Sequence, residues 1–384
     1  MANRNRKIIF SLDPGFNGCK IVIDKQIYHF PFAIQDITEK EKAYRNSHGV
    51  YAFTRCIYGK KLYLFGDIAM VYMKNPKNMQ DKGRETELFF SVERFETEIF
   101  EIAINTFIAY GLLLHAQSKE NSFTLDQLAG SEISLGIALP HQYADELLPK
   151  VAPKFKGVRS MEILVDDEKY DITYNVANVT GSSQAVCALN KELTNDEGEE
   201  DENSFLYGKL PLVVIDAGYK TIGIFEIDET GQTLNDESNQ EFAMKNVDDE
   251  VASRLNEFDP SLKGYMIEEY CRKDDVVRYL DKTEQVVKEI SVNKIKDQVL
   301  SETANSLIEY LEKKFNHFLY DRALLVAGGT GSVFFPYIKE RLEKKDPRLA
   351  KSTFLADSPF AGRPCDAIYA VAVGMYKFIE MDEE

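Results

Sequence analysis

The chain has 384 residues, 44% hydrophobic and 28% charged, the make-up of an ordinary globular protein and, at about one domain per 150 residues, enough for two or three domains. Its formal net charge of −17 argues against direct contact with nucleic acid, because nonspecific binding there comes from Lys and Arg neutralising phosphates; a basic protein partner would be attracted. The five cysteines, Cys19, Cys56, Cys187, Cys271 and Cys365, have no C-x-x-C spacing and no nearby histidines, which argues against a zinc site and for reduced thiols in the cytoplasm.

Near the N-terminus, "MANRNRK" is basic, but the apolar run behind it is broken by Ser11 and Asp13, too soon for a signal peptide. "KIIFSL", "CKIVID" and "QIYHFPFAI" read as strands rich in β-branched and aromatic residues. "VYAFTRCIYGKKLYLFGDIAMVYM" continues that strand-rich region to about residue 73. From about Glu85 to Gln117 the apolar residues recur at helical spacing. The stretch Ile99 to Ala116 is the most hydrophobic, yet it holds Glu101 and Asn105 and is expected to be a buried core helix rather than a membrane span. "EISLGIALP" reads as a strand apolar on both faces, as in a sheet covered on both sides.

A helix is predicted from Ser182 in "SSQAVCALNKEL", with Ser as its N-cap. The acidic run at 194–204 reads as a solvated loop and as the boundary between two halves. The second half opens on the buried strand "LVVIDAG", continues with a long helical region from Asp248 to Phe318, and closes on "ALLVAGGTGSVFFPYIKERLEK", a strand, a glycine turn and a helix. A last apolar helix runs from about Cys365 to Glu380. Strands followed by helices, repeated in each half, predict an α/β protein of two similar lobes.

The repeat is sharpest at two turns. Asp216 lies 203 residues after Asp13, and the same offset aligns Gly218 with Gly15, Tyr219 with Phe16 and Ile224 with Ile21. A glycine hairpin tip lets backbone N–H groups approach an anion, and an Asp beside it makes sense when a divalent cation stands between carboxylate and phosphate. Lys20, seven residues past Asp13, could return to a phosphate oxygen as a point charge. One such turn is ordinary turn chemistry; two matching copies are not. The third turn, Ala327 to Ser332, fails the dinucleotide fingerprint because position 334 is Phe334, and no Walker loop is present. It is either a structural helix start or a flat glycine surface for a base and ribose. Gln184 is either an exposed first-turn residue or an amide that orients an attacking water.

In their order, "DPGFNGCK", "SSQAV", "VVIDAGYKTIGI", "LLVAGGTGS" and the terminal apolar helix resemble the five nucleotide-site motifs of the actin-like ATPases, over nearly the whole chain. The sequence is most similar to the ParM/StbA branch; "LYLFGDIA", with Gly66 and Asp67, and "IALP" followed by "HQY" are also similar to segments of that branch. The resemblance implies an actin-like (ribonuclease H-like) duplicated two-lobe fold with a nucleotide in the interlobe cleft. The first lobe would span 1–190 plus 362–384, with a strand-rich subdomain at about 25–85, and the second 205–361, with a helical subdomain at about 240–300. Asp13 and Asp216 would hold Mg²⁺ through water. Gly15, Phe16, Asn17, Gly18 and Lys20 would line the phosphates of ATP (or GTP) on one side, and Gly218, Tyr219, Lys220 and Thr221 on the other, with only backbone amides acting at Phe16 and Tyr219. Gly328, Gly329, Thr330 and Gly331 match the adenosine motif, and Gln184 the position that aligns the hydrolytic water. The function so implied is a filament-forming ATPase that segregates plasmid DNA through a small DNA-binding adaptor at a centromere-like site, with no direct nucleic-acid or membrane contact. The alternatives are a metabolite kinase of the same superfamily and a nonenzymatic scaffold.

Overall fold

The computed structural model describes residues 7–16, 18–38, 55–74, 92–118, 124, 125, 127, 131–165, 168–273, 275–281, 283–315 and 323–383. They form two units, Met1–Glu200 with Val371–Glu384, and Asp201–Ala370.

In the first unit, β1 (Lys7–Pro14), β2 (Cys19–Ile23) and β3 (Gln26–Phe30) form an antiparallel meander, followed by β4 (Ile34–Asp36), β5 (Arg55–Tyr58) and β6 (Lys61–Phe65). Helix α1 (Asp67–Lys74) precedes a 3-10 turn at Val92–Glu96, α2 (Glu98–Gln117), β7 (Glu132–Leu139), α3 (Ala144–Phe155), β8 (Gly157–Val165), β9 (Glu168–Ser183) and α4 (Gln184–Leu193). Their sheet has the order β3-β2-β1-β7-β9-β8-β5-β6-β4. β7 lies parallel to both β1 and β9 and is buried along its length after Glu132, which accounts for its unbroken apolar run. α2 starts at the Thr97 cap and lies in the core. Asn105 bonds to the Glu101 carbonyl at 2.9 Å and accepts from the Tyr174 hydroxyl at 2.8 Å, so its burial leaves no polar atom stranded. α2 is long and apolar enough to cross a membrane, and 72% of its most apolar window is buried in this core.

The C-terminal helix, Ala370–Glu383, returns to the first unit. Ser11 Oγ donates to the Ala372 carbonyl at 2.7 Å, and Lys377 Nζ donates to the Lys191 and Thr194 carbonyls at 2.8 and 2.6 Å. Bonds to backbone from a lysine only 3% exposed satisfy carbonyls at the C-terminal end of α4, where a helix leaves acceptors open.

In the second unit, β10 (Leu212–Ala217), β11 (Ile222–Ile227) and β12 (Thr233–Asn239) repeat the meander. They are followed by α5 (Met244–Leu255), α6 (Gly264–Arg272), β13 (Val276–Asp281), β14 (Val286–Ser291), α7 (Val292–Lys314), β15 (Ala323–Ala327), α8 (Gly329–Lys345), α9 (Pro347–Lys351) and β16 (Thr353–Leu355). The sheet order β12-β11-β10-β15-β16 matches the β3-β2-β1-β7-β9 edge of the first sheet, parallel beyond the hairpin in both. The duplication therefore extends from the turn motif to strand order.

Several elements differ from the sequence reading. The strand-rich region ends in α1, because Gly66 turns with φ +66° and Asp67 starts a helix that buries Ala69 and Tyr72. The helix-capping serine is Ser183, whose hydroxyl accepts from Val186 N at 3.2 Å, while Ser182 still pairs with Ala138 as a strand residue. The long helical region of the second half is interrupted by the β13–β14 hairpin, where Arg278 pairs with Glu289 and Lys288 with Asp281 across the strands, at 2.7 Å each. Val, Tyr, Leu and Ile interspersed with charged residues serve this ribbon, whereas the Lys and Glu content suggested helix. Residues 362–370 belong to the second unit, and the C-terminal α-helix begins at Ala370 after a 3-10 turn at Ala367–Tyr369. The acidic run is ordered by Asn195 Oδ1, which accepts from the amides of Glu197 and Glu199, while those two side chains stay exposed.

Candidate functional site

Antiparallel pairing puts Asp13 opposite Lys20 and Pro14 opposite Cys19, closing the first turn at the C-terminal end of β1. Asp13 is 4% exposed, and its two carboxylate oxygens have different partners. Lys20 Nζ lies 3.2 Å from Oδ2, and Gln184 Nε2 donates to Oδ1 at 2.9 Å. Gln184 reaches it as the first residue of α4, since β9 runs parallel to β7 and ends beside the β1 turn. The structure thus brings Asp13, Gly15, Lys20 and Gln184 together; Asn17 lies outside the described residues.

Neighbouring side chains close in on the glycines of this turn. A Cβ on Gly15 would come 2.9 Å from Lys20 Nζ, and one on Gly18 would come 2.1 Å from His29 Nε2. Such a backbone can present amide groups to an anion without steric shielding.

Two further residues stand at this turn. His29 on β3 pairs in register with Lys20 and lies beside Gly18. Its pKa is pushed down, first by desolvation and then by the Lys20 charge, with Asp13 and Asp67 acting the other way. Strand alternation past the hairpin could have located it. Arg94, from the 3-10 turn before α2, is 2% exposed. One of its terminal nitrogens donates to the Pro14 carbonyl, and its guanidinium carbon lies 4.2 Å from the Phe16 ring centre and 4.9 and 5.1 Å from those of Phe95 and Phe32. Burial lowers its pKa to about 10, against the pull of Asp13, so it stays charged at neutral pH. The lone Arg in "VERFETEIF" had no pattern to mark it.

The second hairpin has the same register. Asp216 faces Gly223 as Asp13 faces Lys20, and Ala217 faces Ile222 as Pro14 faces Cys19. Glycine therefore stands where the first hairpin has lysine. Gly218 N donates to the Thr221 carbonyl at 2.9 Å to close the turn, and the half-buried Tyr219 packs toward the second core. Burial, and after it Asp248, Asp249 and Glu268, push the Tyr219 hydroxyl pKa up. Lys220 lies beside it, half-buried.

The third turn meets this hairpin because β15 lies parallel to β10, with Asp216 level with Ala327. Thr330 Oγ1 donates to the Gly218 carbonyl at 2.8 Å. Gly328 has φ +83°, and a Cβ there would sit 2.3 Å from the Ala217 carbonyl oxygen and 3.0 Å from Asp216 Oδ1. A Cβ at Gly329 would lie 3.2 Å from Ile368 Cδ1, and one at Gly331 would lie 3.7 Å from Ala217 Cβ. Asp216, Gly218, Thr221, Gly328, Thr330 and Gly331 are thereby gathered on one strand end, at the start of α8.

The donor set suits a metal held mainly by something other than protein. Among the described residues no three His, Cys, Asp or Glu side chains gather as ligands, and both Asp13 oxygens already have partners. A carboxylate so engaged can still orient the water shell of Mg²⁺, an ion that keeps several waters and takes one or two carboxylates together with phosphate oxygens.

No family model matches the sequence, and no curated protein does. Solved structures do match. The actin-like protein Alp7A superposes with a TM-score of 0.70 at 15% identity, covering 98% of this chain and 97% of Alp7A. The apo ParM protein of pSK41 gives 0.64 at 15% identity, over 99% and 98%. The AlfA filament bound to AMPPNP gives 0.51 at 15% identity, over 99% and 98%. At such identities the similarity establishes architecture, and it does so over almost the entire length of each chain. The duplicated sheets and their hairpins are those of an actin-like fold, the fold of the bacterial actin-like proteins.

Proposed function

We propose that the chain is an actin-like ATPase that assembles into filaments with bound nucleotide and hydrolyses it. The observation that carries this reading is the repeated hairpin: two carboxylates in one register, each at a glycine turn and each at the end of a strand flanked by a parallel neighbour. Asp13 and Asp216 then orient the waters of Mg²⁺, which neutralises phosphate charge when bound. Gly15, Phe16, Asn17, Gly18 and Lys20, with Gly218, Tyr219, Lys220 and Thr221, bind the phosphates, and the turn from Gly328 to Gly331 takes the adenosine. Gln184, anchored on Asp13, orients the attacking water.

Self-assembly is supported by the shared fold with AlfA, which forms a filament with AMPPNP. Head-to-tail contact that does not close gives a filament. The net charge of −17 suits a cytoplasmic protein that reaches plasmid DNA through a small basic DNA-binding adaptor. Light scattering and negative-stain microscopy with ATP, with ADP and without nucleotide test this. Polymer with Mg·ATP is the expected result. Absence of polymer under every condition, or ATP consumption stimulated by a sugar with a phosphorylated product, would overturn it.

A further inference from the structure

The charges under the first hairpin do not balance. Lys20 already stands against Asp13 at 3.2 Å, so the pair leaves little net field. Arg94 is then an additional buried cation, and Asp13 is the carboxylate whose charge bears on it. One terminal nitrogen of Arg94 donates to the Pro14 carbonyl. Among the described residues its Nε and other terminal nitrogen have no hydrogen-bond partner. The rings of Phe16, Phe32, Phe95 and Phe100 surround the guanidinium. Ring faces attract a cation but supply no counter-charge, and a buried cation without one is costly.

An anion at the Pro14–Phe16 turn would supply the missing charge. We propose that Arg94 is the buried counter-charge of the phosphate site, a positioning residue that strengthens polyphosphate binding at the first hairpin through its field and its hold on the Pro14 carbonyl. The inference rests on the nucleotide reading above. It adds a second cation behind the hairpin: Lys20 stands against Asp13, and Arg94 supplies positive charge beyond that pair. Because a field acts on charge, it favours a triphosphate over a diphosphate, whereas a mere prop for the turn would affect both alike.

The test is equilibrium binding of fluorescent ATP and ADP, with Mg²⁺, to wild type, R94Q and R94K, with thermal melting of each nucleotide-free protein. Gln keeps a donor for the Pro14 carbonyl and removes the charge; Lys keeps the charge. The expected result is roughly tenfold weaker ATP binding by R94Q with a smaller loss for ADP, and an R94K ATP-to-ADP affinity ratio within about threefold of wild type. Equal losses for both nucleotides in R94Q, no loss in R94Q, or an R94K ratio as altered as that of R94Q would each overturn the proposal. Should R94Q fail to fold, R94K decides: a preserved ratio supports the proposal and a changed one overturns it. A wild-type protein that binds neither nucleotide overturns the nucleotide reading itself, and this proposal with it, which distinguishes the two failures.

Discussion

Gln184 donates to Asp13 Oδ1 at 2.9 Å across 171 residues of sequence. The bond joins the first residue of one helix to the end of the strand that opens the fold. It holds the amide against the carboxylate that the nucleotide reading assigns to the metal.

The Gln184 contact predicts a split between binding and turnover. Q184A removes an orienting group while leaving the phosphate turn intact, so kcat for ATP hydrolysis should fall by about a hundredfold with nucleotide affinity changed only a few-fold. Single-turnover kinetics beside equilibrium binding would check this. Equal loss in both would instead mean that Gln184 serves to bind.

Gly328 and Gly18 should respond differently to alanine. At Gly328 the strain is in the backbone, with φ +83° and a carbonyl oxygen 2.3 Å from the added Cβ; G328A should cost about 1–3 kcal/mol or more and lower the melting temperature by several degrees. At Gly18 the obstacle is the ring of His29, an exposed residue that can turn aside. G18A should therefore melt close to wild type, as read by circular dichroism.

Asp248 gives a pH prediction. It is 2% exposed, and burial raises its pKa despite Lys296 at 2.9 Å. Between the ordinary Asp value and the raised one, the folded state binds more protons than the unfolded state, so stability falls as pH rises through that window. Removing the carboxylate should flatten this slope. Urea unfolding of wild type and D248N at pH values rising from about 4 would show their curves diverging, wild type losing more.

Magnesium should bind only in company with nucleotide. Because no cluster of three candidate ligands forms among the described residues, Mg²⁺ alone should leave the melting temperature unchanged, while Mg·ATP at about 100 times its Kd should add about 2.7 kcal/mol of stability. Chelation with EDTA should abolish hydrolysis. A clear shift with Mg²⁺ alone would point to a protein-only metal site.

The hairpins were legible in the sequence because a constant 203-residue offset preserves Asp, Gly, an aromatic and the strand residues together, and the structure keeps the same register in both. Buried strands such as β7 were legible too, since a strand covered on both faces has no polar alternation to mislead. The β13–β14 ribbon was not, because Val, Lys and Glu suit either a charged helix or a two-stranded hairpin, and only cross-strand pairing decides. Arg94 was not, because its surroundings come from Phe16, Phe32, Phe95 and Phe100, which share no sequence spacing and meet only in the folded core.

Under the proposed function Asp13 and Asp216 are both needed for ATP hydrolysis. Steady-state ATP hydrolysis by D13A, D216A and the double variant tests it most directly. Each single change should abolish most of the activity and the double variant should be scarcely worse, because groups acting on one ligand are not additive. Hydrolysis that survives either substitution, or losses that simply multiply as for independent sites, would contradict it.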